Sequence, residues 1–153
     1  MYTATVLLTI EKFIPMSGIY GQGQSIVATI SPPTDTSPPP YPDDEVFSGD
    51  GESIQVTIPA NYPGSVQLTF QLPDPRYVLL GVSFRGPNGG AGRMEFRTVT
   101  INRDPFCSQM TVTDACANKF DQVDFDYVIL VQEVATANIG LIDPDIETEV
   151  NED

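Results

Sequence analysis

The chain lacks histidine and tryptophan altogether, and its 153 residues include only 7 lysines and arginines against 21 aspartates and glutamates. Without histidine there is no Ser-His or Cys-His catalytic pair, and the histidine-containing metal sites are excluded as well. The net charge of −14 would repel a phosphate backbone, so we expect no nucleic-acid partner. The chemistry left to this sequence is mainly that of carboxylates.

Long apolar runs and cysteines are also scarce. No run approaches the about 20 apolar residues that cross a bilayer, and the N-terminus lacks the basic region and cleavage site of a signal peptide. We therefore expect a cytoplasmic protein with no membrane partner. Its two cysteines, Cys107 and Cys116, cannot form a zinc site alone and are expected as reduced thiols, with a disulfide between them left open. We expect no metal ion and no cofactor.

Short strands dominate what is present. The 12 glycines and 14 prolines exclude long helices from most of the chain, with one helical turn expected near residues 115–120. Eight β-rich runs are bounded by turn residues: Thr3 to Ile10, Ser25 to Ile30, Ser53 to Ile58, Ser65 to Leu72, Tyr77 to Phe84, Glu95 to Ile101, Gln109 to Thr113 and Asp124 to Glu133. They predict one all-β domain over residues 1–153, an antiparallel two-sheet sandwich of immunoglobulin-like form with about eight strands.

Three segments depart from this pattern. Residues 31–44 are proline-rich and predict a rigid surface loop, with a partner-binding motif as the alternative. Arg85 to Gly92 is a glycine-rich turn without the helix and Gly-Lys-Ser/Thr of a phosphate cradle. Residues 143–153 form an acidic C-terminal segment that we expect to dock on the sandwich.

Clustered carboxylates raise the question of calcium, which prefers oxygen ligands. The clusters are Asp121, Asp124 and Asp126, and the alternating Asp143, Asp145, Glu147 and Glu149. No EF-hand spacing is present, and acids that alternate along a strand usually form its solvated face. A calcium-stabilised sandwich is therefore an alternative to the metal-free protein that we expect.

Asp-Pro dipeptides carry a more specific chemistry. The aspartate carboxylate can attack its own backbone carbonyl and close an anhydride, since proline nitrogen is a good leaving group once protonated. Water activated by a neighbouring carboxylate would cut the same bond. Asp74-Pro75 is expected in a hairpin turn, and Asp104-Pro105 ends a strand. Asp143-Pro144 begins the docked acidic segment, where strain could be held, and is the expected cleavage site.

A family resemblance supports this choice. Four motifs follow one another: Met110-Thr111-Val112-Thr113-Asp114, Lys119, the strand Phe125 to Val131, and Asp143-Pro144-Asp145-Ile146. They resemble the C-terminal half of the DP-EP family, small bacterial β-sandwich proteins named for Asp-Pro and Glu-Pro signatures. The likeness extends more loosely through Gly81 to Phe84 and Phe96 to Ile101, to about Gly51, roughly two thirds of the chain. No Glu-Pro occurs in this sequence.

The resemblance implies a sandwich that acts as an aspartic peptidase on its own chain. Its own C-terminal segment would be the substrate, with Asp143 as the cleaved residue, Pro144 as the leaving partner and Lys119 able to join the activated aspartate. We expect Asp114, after the Met110 to Thr113 strand, to share the site as a second carboxylate. As ordinary surface groups, Lys119 would pair with neighbouring acids and Asp114 would be a turn residue.

The rival function is a non-catalytic interaction or assembly module. In that case the acidic segment and the proline-rich loop are docking surfaces for a protein partner.

Overall fold

A computed structural model describes residues 2–16, 25–37, 47–49, 53–58, 64–85, 96–102, 107–114, 123–143 and 145–150. Within these ranges all regular structure is β, which confirms the all-β class. The strands are β1 (Tyr2–Lys12), β2 (Val27–Ile30), β3 (Thr34–Asp35), β4 (Phe47–Gly49), β5 (Ser53–Ile58), β6 (Val66–Gln71), β7 (Tyr77–Arg85), β8 (Phe96–Asn102), β9 (Gln109–Asp114), β10 (Val123–Glu133), β11 (Ile139–Ile142) and β12 (Asp145–Val150).

Each of the eight runs predicted from the sequence contains a strand, and β3, β4, β11 and β12 are additional. The helical turn expected at residues 115–120, Asp104-Pro105, and the glycine-rich turn beyond Arg85 lie outside the described residues. No membrane-spanning helix is found in the portion of the chain that the structure describes.

The strands form two sheets. The first has the order β2-β1-β6-β9-β8, with β3 also pairing with β1. In the second, β7 lies on one side of β10, β11 and β12 lie on the other, and β5 and β4 follow β12. The sheets are mixed rather than purely antiparallel, because β1 is parallel to β6 and β12 is parallel to β5. Alternation within a strand fixes which side chains face the core but leaves the direction of its neighbour open.

The two sheets share one hydrophobic core. Along β6, Val66, Leu68 and Phe70 are buried while the intervening Gln67 and Thr69 are half-buried. Buried residues from both sheets make up a single cluster: Ala4, Val6, Leu8, Ile10, Met110 and Val112 from the first, and Phe47, Val56, Tyr77, Leu79, Ile129, Val131 and Ile142 from the second. This is the packing of a β-sandwich, in which burial of each large side chain contributes about 1.5–3 kcal/mol.

The hairpin predicted at Asp74-Pro75 is wrong, because the turn crosses between the sheets. β6 belongs to the first sheet and β7 to the second. The Asp74 carboxylate accepts a hydrogen bond from the Arg76 backbone N–H (3.1 Å), and the Asp74 carbonyl accepts one from the Tyr77 N–H (3.2 Å). A hairpin and a crossover turn use the same turn chemistry, so the dipeptide alone does not distinguish them.

The first half of the proline-rich segment is not a free loop. Its β3 pairs with β1, and the backbone N–H groups of Ser31 and Thr36 donate to the carbonyls of Leu7 (2.9 Å) and Thr3 (2.8 Å). Ser37 is 4% exposed, and its hydroxyl accepts a hydrogen bond from the Thr3 N–H (3.0 Å) and donates one to the Thr3 carbonyl (3.4 Å). The residues between the prolines retain their donors, so they can cover the edge of β1. Residues 38–44 lie outside the described ranges.

The outer edge of β11 is also covered. The N–H groups of Met16 and Ile26 donate to the carbonyls of Ile139 and Leu141, each at 2.7 Å. Between these bonds lies Gly140, where a Cβ would stand 2.7 Å from the Ile14 carbonyl oxygen and 2.7 Å from Cδ1 of Ile26. Glycine is therefore required here by the close approach of the chain that follows β1.

Candidate functional site

The Asp143-Pro144 bond lies between β11, which ends at Ile142, and β12, which begins at Asp145. β11 pairs with β10 from Ile129 opposite Ile142, and β12 pairs with β10 from Asp126 opposite Asp145. The step from Ile142 to Asp145 and the step from Ile129 to Asp126 are both three positions long. The register along β10 is therefore the same on both sides of the break. Proline has no N–H for the ladder, which accounts for an interruption at this dipeptide.

The acidic segment is therefore a strand and not a tail lying on the surface of the sandwich. β12 pairs with β10 on one side, from Val123 opposite Thr148, and with β5 on the other, from Ser53 opposite Asp145. The segment that leads to it, residues 135–140, forms the turn after β10 and the start of β11. Both flanks of the predicted cleavage site are thus fixed by backbone pairing.

Asp143 lies at the surface. It is exposed, whereas the preceding Ile142 is only 2% exposed and belongs to the core. Since strand side chains alternate between faces, a residue that follows a core position emerges on the outer face of the sheet. Its carboxylate is therefore accessible to water. Pro144 itself lies outside the described residues.

Acidic residues occupy paired register positions next to the break. Asp126 on β10 is opposite Asp145 on β12, and Asp124 is opposite Glu147. These four residues are called the acidic pairs below. Directly opposite positions in an antiparallel sheet have Cβ atoms about 4.5–5.5 Å apart, and like charges there are destabilising. On the other side of β10, Arg85 of β7 is the register partner of Asp126.

Asp114 lies in the other sheet. It ends β9, where its register partners are Val66 of β6 and Phe96 of β8. It therefore belongs to a different sheet from β11 and β12, the two strands that flank Asp143. The acidic pairs lie closer along the chain, since Asp145 is two residues from Asp143. Lys119 lies outside the described residues, so its capture role stays a prediction.

The proximity of the acidic pairs to Asp143 was missed in the sequence. The alternation of acids was visible along both segments. Only the register across the break, however, places Asp126 opposite Asp145.

Asp74 provides a contrasting Asp-Pro site. The Arg76 guanidinium donates from Nη2 to Oδ2 (2.7 Å) and from Nε to Oδ1 (3.1 Å), and it lies 5.3 Å from the Tyr77 ring centroid. The hydrogen bonds from the Arg76 side chain hold the pKa of Asp74 below its usual value. A carboxylate bound in this way is less free to turn onto its own backbone carbonyl.

Within the described ranges, no observation supports metal binding or thiol chemistry. There, no group of three or more Cys, Asp or Glu side chains is arranged to hold a metal ion. Of the calcium candidates, Asp121 lies outside those ranges. Cys107 is a free, half-buried thiol, and Cys116 also lies outside.

No family model matches the chain, and neither a curated protein nor a solved structure matches it significantly. The resemblance to the DP-EP family therefore depends on the quoted motifs alone. The function has to be argued from the geometry around Asp143.

Proposed function

We propose that this protein is a self-processing β-sandwich that cleaves its own Asp143-Pro144 bond. The observation that carries the proposal is the common register of β11 and β12 along β10, with the Asp-Pro bond at the break between them. An Asp-Pro bond in a free loop samples many conformations. Here the backbone on each side is fixed, which lowers the entropy cost of reaching the geometry for attack.

The chemical steps balance as follows. A side-chain carboxylate oxygen of Asp143 attacks the backbone carbonyl carbon of the same residue and closes a five-membered cyclic anhydride. The bond to the nitrogen of Pro144 breaks as that nitrogen takes up a proton, and Pro144 becomes a new N-terminus. Water then opens the anhydride to give a fragment that ends in an aspartate with two free carboxyl groups. Asp143 is exposed, so water has access to this step.

We assign the acidic pairs the supporting role. Asp145 is two residues along the chain from Asp143, and Asp126 is its register partner. Carboxyl groups in this position are suited to donate the proton that Pro144 requires or to activate the attacking water. The second carboxylate proposed from the sequence, Asp114, belongs to the first sheet. Asp114→Asn therefore serves as the comparison for Asp145→Asn.

The finer description of the fold belongs to the same proposal. We propose an immunoglobulin-like sandwich, supported by two sheets that share one core. The compartment proposed is the cytoplasm, and the substrate proposed is the chain's own C-terminal segment.

The test is mass spectrometry of the full chain under denaturing conditions. Denaturation is needed because β12 is paired on both sides, so a cleaved segment would stay bound in a native measurement. We expect the wild type to accumulate fragments of residues 1–143 and 144–153, and Asp143→Asn to remain whole. Asp74→Asn is the control and should be cleaved like the wild type.

A wild type that stays whole for weeks at neutral pH would reject self-processing, and rapid cutting at Asp74-Pro75 would show that the register argument is wrong. A comparison of Asp145→Asn with Asp114→Asn tests the supporting group. Slower cleavage in the first variant alone supports the acidic pairs, and slower cleavage in the second alone restores Asp114.

The second candidate is a non-catalytic interaction or assembly module. The two docking surfaces proposed for such a module are the acidic segment and the proline-rich loop. Part of each is already paired within the fold, because residues 145–150 pair with strands on both sides and residues 34–35 pair with β1. A partner would need a different surface, and the edge strand β8 is one.

A further inference from the structure

The edges of the two sheets differ in how well they are covered. The backbone at Met16 and at Ile26 covers the edge of β11, and residues 31–37 run along β1. β4 has three residues and β2 has four. β7 is longer, but its Leu79 N–H already donates to the Cys107 carbonyl (3.0 Å). β8 has seven residues and is the outermost strand of the first sheet, with β9 as its one strand partner among the described residues.

The start of β8 carries a register shift and the charged Arg97, but the rest of the strand lacks the usual protection of an edge. Natural edge strands avoid unwanted pairing by lysine, proline, short length or a bulge. In β8 a register shift occurs between Phe96 and Thr98, but the remaining run, Thr98-Val99-Thr100-Ile101-Asn102, contains no charged residue and no proline. It is rich in β-branched residues, which favour strands. Residues 98–102 therefore form a good template for another strand.

A core-facing row of the first sheet ends in an exposed side chain at this edge. Val99 is the register partner of Val112, which is 1% exposed, yet Val99 itself is 40% exposed. The next core-facing residue, Ile101, is partly buried opposite Met110. A further strand beside β8 would continue the row and cover Val99.

The outer face of this sheet is free of charge over its central strands. One row contains Thr69, Thr111 and Thr100, with the hydroxyls of Thr69 and Thr111 3.1 Å apart. The next row contains Gln71, Gln109 and Asn102. By contrast, the second sheet has the acidic pairs at facing register positions. Two copies of a chain with a net charge of −14 repel each other, so they can approach most closely where these uncharged rows reach the edge of the first sheet.

We propose that β8 is a homodimer interface, in which it pairs antiparallel with β8 of a second copy. A second copy fits because residues 98–102 of β8 carry no charge and are self-complementary when paired antiparallel about Thr100. On one face valine and isoleucine would meet their counterparts, and on the other threonine would meet threonine. Such a two-fold contact uses the same surface on both chains and closes at the dimer. It joins the two first sheets into one continuous sheet and covers Val99. The interface does not depend on cleavage at Asp143.

Analytical ultracentrifugation of the full chain tests the interface over a range of protein and sodium chloride concentrations. We expect a monomer–dimer equilibrium whose dissociation constant falls as salt rises, because salt screens the repulsion between the two acidic chains. Val99→Lys and Thr100→Lys should each raise the dissociation constant at least tenfold. The matched control is Thr29→Lys on β2, which adds the same charge to the same sheet at an exposed position near its opposite edge.

Circular dichroism would establish that all variants keep the β fold. A chain that stays monomeric at every salt and protein concentration overturns the proposal. So does a dimer that both β8 variants leave unchanged, or one that Thr29→Lys weakens equally. Open-ended oligomers that persist in the β8 variants would place self-association elsewhere and overturn it as well.

Discussion

Asp126 of β10 lies directly opposite Asp145 of β12, one strand position beyond the break at the predicted cleavage site. The fold therefore tolerates like charges at a paired position where backbone pairing fixes the strand on both sides. The cation in the same row, Arg85, is the register partner of Asp126 from the other side. We therefore expect the acidic pairs to weaken the attachment of β12.

Removal of one charge from this pair should stabilise the protein. We expect Asp145→Asn to raise the free energy of unfolding by about 0.2–1 kcal/mol, and the gain to shrink at high salt. Urea unfolding measures it. The matched control is Glu149→Gln, on the same strand, because the register partner of Glu149 on β5 is the neutral Thr57. Equal effects of the two substitutions would contradict a specific repulsion between Asp126 and Asp145.

A methyl group at Gly140 should be costly. Its Cβ would stand 2.7 Å from the Ile14 carbonyl oxygen, a backbone atom that cannot move without disturbing the cover over β11. We expect Gly140→Ala to lower the free energy of unfolding by about 1–3 kcal/mol in chemical denaturation. Gly81→Ala is the control, because no atom lies within 4 Å of a Cβ built there. If both substitutions have similar small effects, the close approach at Gly140 is not tight.

The ion pair in the turn after β6 should make a small, pH-dependent contribution. The pKa of Asp74 is lowered by the hydrogen bonds from Arg76, so the ionised carboxylate stabilises the folded state. This stability is fully present above the unfolded pKa of about 3.9 and is lost as the pH falls through the folded value. We expect Asp74→Asn to cost less than about 1 kcal/mol at pH 7, because the pair is partly exposed, and to cost less at pH 2 than at pH 7.

Asp74→Asn retains an acceptor for the Arg76 N–H, so it isolates the charge from the turn hydrogen bond. Urea unfolding at the two pH values gives the comparison, and Arg76→Gln serves as the second arm of a double-mutant cycle. A loss for Asp74→Asn that is the same at both pH values, or in the Arg76→Gln background, would refute the ion-pair explanation.

Capture by Lys119 predicts a distinct mass. Attack of its amine on the anhydride of Asp143 forms an amide, so the fragment of residues 1–143 would be one water lighter than the hydrolysed form. An ammonium group cannot attack, and the acidic field of the chain favours the charged amine, so we expect hydrolysis to dominate. Mass spectrometry of wild type and Lys119→Arg decides between them. A water-deficient fragment that persists in Lys119→Arg would exclude Lys119 as its source.

The sequence predicted strands where alternation was clear and failed where it was short or acidic. Val66 to Gln71 alternates apolar and polar residues, and β6 has these bounds. β12 also alternates, but its acids suggested a docked segment, and β4 is too short for any pattern. Strand direction and sheet membership depend on long-range packing. For this reason the crossover at Asp74 and the parallel pairing of β12 with β5 were not visible.

The candidate site, like the fold, was predicted only in part from the sequence. The reactivity proposed for Asp143 follows from its covalent neighbour Pro144, which is visible in the sequence. The carboxylates near Asp143 depend on a register that only the folded sheet defines, so the sequence offered Asp114, after the Met110 to Thr113 strand, as the second carboxylate. The edge strand β8 shows the same limit, since its residues were predicted as a strand but not as the end of a sheet.

The position of β12 between β10 and β5 also sets an order of events during synthesis. β5 leaves the ribosome long before the residues with which it pairs in parallel, so the second sheet stays open in the nascent chain until residue 150 has been made. Pairing of such distant segments is slow, because the loop between them must close first. If the proposed cleavage at Asp143-Pro144 depends on that pairing, the bond stays intact throughout translation, and cleavage is available only to a chain that has finished folding.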